Sequence, residues 1–166
     1  MSVLKSRRHK SPAKFVQLAD EIYVEVYNFM MRLSNRQQRL LAPETTRLAL
    51  KALDEAEMGN SIMVKDENTY NVRTTHLLEA LAAMNAVDVN MTHIWKILMQ
   101  NPQGAFTKSD GSTKSPSEAI VILDDMANSL GEKIDMFYNY VNKLIENERE
   151  KYQYYVNDSA NKNKTF

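Results

Sequence analysis

The stretch SPSEAIVILDDMANSLGEKIDMFYNYVNKLIENE, residues 115–148, decides the fold. Its apolar positions Ile120, Leu123, Ala127, Leu130, Ile134, Phe137, Val141 and Leu144 advance by alternating steps of three and four. That rhythm draws one stripe along an α-helix and leaves the opposite face polar, as in a helix packed on one side against others. Ser115 stands where a hydroxyl can accept from an orphan N–H of the first turn. Pro116 fills the first helical position, where its missing N–H is no loss. The stripe meets Glu148, beyond which the helix is predicted to continue, exposed, through Tyr152 and Tyr155.

The same rhythm recurs upstream. Leu77, Leu81, Met84, Asp88, Met91, Trp95 and Leu98 mark a helix over 73–100, ended by Asn101-Pro102 because the residue before Pro avoids helical backbone. Phe15, Ala19, Ile22, Val26, Phe29 and Leu33 mark a helix over 12–33, with Ser11 as its cap and Pro12 in first position. Between them Pro43-Glu44 opens a helix over 43–65, whose Ala49, Ala52, Ala56 and Gly59 admit a close neighbour. Arg36 to Leu41 reads as a turn or a short helical approach, and Asp66 to Asn71 as a connection. Pro102 to Lys114, rich in Gly, Ser, Thr, Lys and Asp, is the one long loop and is expected to be mobile.

Four amphipathic helices with mostly short connections predict an all-α chain, an up-down-up-down antiparallel four-helix bundle. Residues 1–11 are expected to form a basic flexible arm, 12–156 the bundle, with its last helix over 116–156, and 157–166 a disordered polar tail. Only four Gly and four Pro argue against an all-β fold, and the absence of Cys removes disulfides and thiolate metal sites. The basic start lacks the apolar stretch of a secretion signal, and no apolar run is long enough to span a bilayer, so a cytoplasmic protein with no membrane partner is expected.

Charge is divided along the chain. Residues 1–51 hold ten Lys and Arg against four acids, and the remainder holds eleven against seventeen. A one-sided basic surface attracts polyanions, and a separate acidic surface offers the same chain something to pair with. The candidate nucleic-acid-binding residues are therefore Lys5, Arg7, Arg8, Lys10, Lys14, Arg32, Arg36, Arg39, Arg47 and Lys51. The first five read as a phosphate-seeking arm or a solubility tail. Arg32, Arg36, Arg39 and Arg47 lie at the corner between the first two helices, where they could neutralise several phosphates or dock on a protein.

Catalytic signals are weak. A di-iron bundle needs Glu-x-x-His on two helices, whereas this chain has only the reverse order, His76 to Glu79. Asp54 and Glu57 have the spacing of a magnesium-holding acidic pair, but Asp88 and Met91 break any second pair. Arg73 and His76 are too close for a separated nuclease dyad, and His93 is offset from Asp88. No cofactor and no catalytic residue is expected. Asp88 interrupts an apolar stripe and must be paired, hydrated or at an edge, with Glu57 and Asn60 as candidates to face it. Tyr138, Tyr140, Tyr152, Tyr154 and Tyr155 accompany acidic residues, which favours protein contact over base stacking.

The whole pattern resembles a known family. The helix Phe15 to Leu33, the corner Asn35-Arg36-Gln37-Gln38-Arg39, the small-residue helix Leu48 to Ile62 and a last helix containing Ile122-Leu123-Asp124-Asp125-Met126-Ala127-Asn128-Ser129-Leu130-Gly131 carry the likeness. It is to the four-helix bundles of ribosomal-RNA intervening-sequence proteins and of accessory variability proteins from diversity-generating retroelements. The resemblance implies a non-enzymatic homo-oligomer, typically a pentamer, that binds a reverse transcriptase and RNA or DNA in support of cDNA synthesis. Members of that family are usually basic overall, whereas this chain has a formal net charge of zero.

Overall fold

The computed structural model describes residues 13–162, with side chains to residue 153. Ser11, Pro12 and the arm residues Lys5, Arg7, Arg8 and Lys10 lie outside the described residues. Four helices make up the described chain: α1 (Lys14–Arg32), α2 (Asn35–Ser61), α3 (Glu67–Gln100) and α4 (Pro116–Lys162). Each packs on its neighbour in sequence and α4 closes on α1, while the α1–α3 and α2–α4 pairs do not approach. All six stripe residues of α1 are buried in the core between the helices.

α2 begins at Asn35, eight residues before the expected Pro43. Proline inside a helix removes one N–H and crowds the carbonyl four residues earlier, which is why the sequence places a helix start there. Here Pro43 and Arg39 are both exposed. Leu41 and Ala42 pack against the core and Thr45 is buried, which holds the extra turns to the bundle. The break from α1 is only Leu33 and Ser34, both in extended backbone.

The second connection is also shorter than expected. α2 stops at Ser61, with Ile62 extended, and α3 starts at Glu67. Asp66 caps α3 by accepting from the Thr69 N–H at 2.8 Å, while the Thr69 hydroxyl oxygen accepts from the Asp66 N–H at 3.1 Å. The two side chains thus satisfy orphan donors reciprocally. Ala49, Ala52, Ala56 and Gly59 are all buried, and a Cβ on Gly59 would stand 3.0 Å from Leu77 Cδ2.

α4 opens as its sequence indicates: the Ser115 hydroxyl oxygen accepts from the Glu118 N–H at 3.4 Å, and the Ser115 N–H and hydroxyl both donate to Glu118 Oε2 at 2.8 Å. Leu123, Leu130, Ile134, Phe137 and Val141 are buried, but Ala127 is exposed and Met126 takes its place in the core. The helix runs to Lys162, so residues 157–162 are helical rather than the start of a disordered tail. At 47 residues α4 is about 70 Å long and outreaches α1.

The loop after α3 is anchored to the bundle at Ala105 and Phe106, while residues 108–113 are exposed. Ala105 and Phe106 are fully buried, and the Phe106 ring meets Phe29 edge-on at 5.7 Å. The Ser34 N–H donates to the Ala105 carbonyl at 2.8 Å and the Lys114 N–H to the Phe106 carbonyl at 3.0 Å. Gly104 and Gly111 both have positive φ, a backbone that favours glycine. An apolar pair inside a polar segment thus turns the loop into a plug beside the α1–α2 corner.

Candidate nucleic-acid interface at the α1–α2 corner

The corner is built on buried apolar contacts. Phe29 from α1, Leu33 just after its end and Phe106 from the plug are all buried. The Arg32 carbonyl accepts from the Thr107 N–H at 3.3 Å. Arg32, Arg36 and Arg39 are exposed on this scaffold and form no ion pair among the described residues. Arg36 and Arg39 stand one turn apart near the start of α2 and share a face. Arg32 borders an open groove between α1 and α4 that also carries Asp20, Glu21 and Asp125, besides Glu25 held by Lys133, so acids oppose its field.

The ten candidate residues do not form one surface. Arg47 is neutralised by Glu44, with Nη2 2.6 Å from Oε1 and Nε donating to Oε2 at 2.9 Å. That hydrogen bond, joined by the Arg47 charge, holds the Glu44 carboxyl below its ordinary range. Lys51 pairs with Glu79 of α3 at 3.0 Å. Lys14 is exposed at the opposite end of α1. The plug adds Lys108 and Lys114, which the sequence reading left out; Lys108 is 3.8 Å from Glu118. Ala105-Phe106 was the available signal, because an apolar pair in a polar loop needs a place to bury.

The other chemical candidates have structural partners. His76 Nδ1 is 2.7 Å from Glu55 Oε2, so His76 and Glu79 turn to different neighbours. Arg73 pairs with Glu148 at 2.8 Å and donates through Nη1 to the Gly59 and Ile62 carbonyls. Asp54, Glu57, Asn60 and His93 are exposed. Asp88 is half-buried and lies towards Tyr138 of α4. Among the described residues no group of three or more His, Asp or Glu could hold a metal ion. None of their helices is long and apolar enough to cross a membrane.

Of the tyrosines, Tyr152 stacks on Tyr70 at 4.6 Å and Tyr140 is exposed, while the side chains of Tyr154 and Tyr155 lie outside the described residues. A scan of protein-family models, a search of curated proteins and a search of solved structures each returned no match.

Proposed function

We propose that this protein is a non-enzymatic accessory bundle that binds RNA or DNA through the α1–α2 corner. Its partner on this reading is a reverse transcriptase of the diversity-generating kind, whose cDNA synthesis it supports. The helix order is read as up-down-up-down. Lys51 meets Glu79 and Glu55 meets His76 between α2 and α3, and Tyr70 meets Tyr152 and Arg73 meets Glu148 between α3 and α4. One observation supports the binding site most: among the described residues Arg36 and Arg39 are exposed and form no ion pair, on a corner fixed by buried Phe106, whereas Arg47 and Lys51 already hold carboxylates. A guanidinium with no carboxylate beside it offers a phosphate an unopposed charge.

Fluorescence anisotropy with labelled single-stranded RNA and DNA tests the reading. Binding should fall steeply with salt and should be lost in Arg32→Ala/Arg36→Ala/Arg39→Ala. Tight binding untouched by that variant would refute it. Copurification with a coexpressed reverse transcriptase tests the partner separately.

A second reading, self-assembly without nucleic acid, is favoured by the exposed apolar surface near the corner. Leu40 is 71 % exposed, and Val24, Tyr27 and Met31 form an exposed stripe on α1. This reading expects a homo-oligomer, pentameric if the family likeness holds, in light scattering of nuclease-treated protein.

A further inference from the structure

An open groove of about 750 Å³ runs between α1 and α4, from Asp20 to Arg32 on the first helix and from Ile122 to Lys133 on the last. Val24, Phe29, Ile122 and Met126 give it apolar walls. Its rim holds four acids, Asp20, Glu21, Glu25 and Asp125, against two cations, Arg32 and Lys133. Lys133 is taken by Glu25, and among the described residues Asp20, Glu21 and Asp125 form no ion pair. The groove is thus an apolar slot with surplus negative charge. Such a surface suits an extended basic segment with apolar residues at one end.

The chain carries such a segment beside one end of the groove. Residues 1–12 join α1 through Ala13 and contain Lys5, Arg7, Arg8, His9 and Lys10 but no acid, the first acid of the sequence being Asp20 itself. Apolar Val3 and Leu4 precede the cations, and Ser11-Pro12 follows them where the chain must reverse, a dipeptide that favours a turn. Length agrees with charge. At 1.5 Å per residue, Asp20 and Glu21 lie about 10–12 Å along α1 from Ala13, and Phe29 about 24 Å. Counted from Lys10 after the reversal, at about 3.3 Å per extended residue, Arg8 and Arg7 reach about 7–10 Å and Leu4 and Val3 about 20–23 Å. Cations meet acids and apolar residues meet apolar walls in one register.

We propose that the α1–α4 groove is the docking site of this chain's own N-terminal arm, with Arg7 and Arg8 against Asp20 and Glu21, and Val3 and Leu4 against Phe29, Ile122 and Met126. Seated there, the arm offsets the acids that oppose Arg32, and it does so whether or not the corner binds nucleic acid. The chain has no Cys, so Ser2→Cys places a single nitroxide on the full-length protein without altering a charge. Amide signals of isotope-labelled protein then report which residues the nitroxide approaches.

At low salt the amides of Phe29, Ile122, Asp125 and Met126 should lose about half their intensity, and they should regain it in about 1 M salt, where the screening length falls to ~3 Å. Those of Leu78 and Val89 on α3, which does not approach α1, should keep theirs throughout. Glu21→Lys/Asp125→Lys, a change at two exposed positions, should abolish the loss. When nitroxide-bearing chains without isotope are mixed with isotope-labelled chains without nitroxide, the groove amides should keep their intensity, because each groove holds its own arm. Three results would each overturn the proposal: no loss at the groove amides at low salt, the same loss in folded Glu21→Lys/Asp125→Lys, or a loss in the mixture, which assigns the groove to a neighbour's arm. The salt comparison and the mixture need no charge variant, so they stand even if that variant does not fold. Nucleic acid is absent throughout, which keeps the result separate from binding at the corner.

Discussion

Arg73 Nε lies 2.8 Å from a Glu148 oxygen, and the two side chains are only 13 % and 15 % exposed. The same guanidinium donates to the Gly59 and Ile62 carbonyls, which the end of α2 leaves without helical partners. One side chain of α3 thus ties the end of α2 to the long extension of α4. Removing one member of a largely desolvated pair leaves the other charge uncompensated. Glu148→Ala should therefore cost about 3 kcal/mol in urea unfolding. Arg73→Ala should cost at least as much, because it also strips the two carbonyls. Equal stability of both variants and the wild type would show that the pair contributes nothing net.

Gly59 faces Leu77 across the tightest contact between α2 and α3 recorded at any glycine here, 3.0 Å from an added Cβ to Leu77 Cδ2. Alanine would gain helix propensity but overpack a fully buried leucine. Gly59→Ala should be destabilising by about 1 kcal/mol in the wild-type background. In a Leu77→Ala background the same change should become stabilising by about 0.5–1 kcal/mol, because the clash is gone. A double-mutant cycle by thermal or urea melts reads this sign reversal.

Periodicity revealed the helices, and it missed how they are joined. The stripes of α1 and α4 mark the core because a 3.6-residue rhythm reflects burial on one face. Pro43 misled because Leu41 and Ala42 packed on the core, with buried Thr45, hold the helix together across the local penalty of the proline. Asp66 and Thr69 were a readable capping box, but the first apolar repeat of α3 begins only at Leu77, so the polar first turns looked like a connection. Of the candidate site, charge counting identified Arg32, Arg36 and Arg39. It overlooked Glu44, three residues before Arg47 and within reach on one helix face, and could not foresee the loss of Lys51 to Glu79, which reaches it from 28 residues away.

Phe106 is the plug that fixes the corner, so its loss should be felt there first. Phe106→Ala deletes a fully buried ring in contact with Phe29 and should cost about 3–5 kcal/mol. Limited proteolysis should cut between residues 104 and 114 well before the helices are attacked. A variant as protease-resistant as the wild type would show that the loop is held by its backbone hydrogen bonds alone.

The Asp66 cap gives a pH signature. The Thr69 N–H and then the Thr69 hydroxyl, both bonded to the carboxylate, hold its pKa below the ordinary carboxylate value. A group depressed in the folded state stabilises fully above its unfolded pKa, and that contribution disappears as pH falls through the folded value. Wild type should melt above Asp66→Ala at pH 7, and the two melting temperatures should converge as pH drops below the ordinary Asp range of about 4. Asp110 and Glu118 are lowered in the same direction, so the measurement is the difference between the two proteins and not the wild-type curve alone.

Arginines in the same third of the chain should differ in their effect on nucleic-acid binding. Each phosphate neutralised by a free cation contributes about 0.7–0.9 to the slope of log affinity against log salt. Arg36→Ala/Arg39→Ala should therefore reduce that slope by about 1.5 and weaken binding at low salt. Arg47→Ala/Lys51→Ala removes the same formal charge, but Arg47 already holds Glu44 and Lys51 already holds Glu79. In both cases the neighbouring carboxylate offsets the charge a phosphate would meet, so their removal should reduce the slope less than loss of Arg36 and Arg39. If both double variants lower the slope equally, binding follows overall charge and the corner has no special part in it. Salt titrations of labelled RNA against the wild type and both variants decide between the two outcomes.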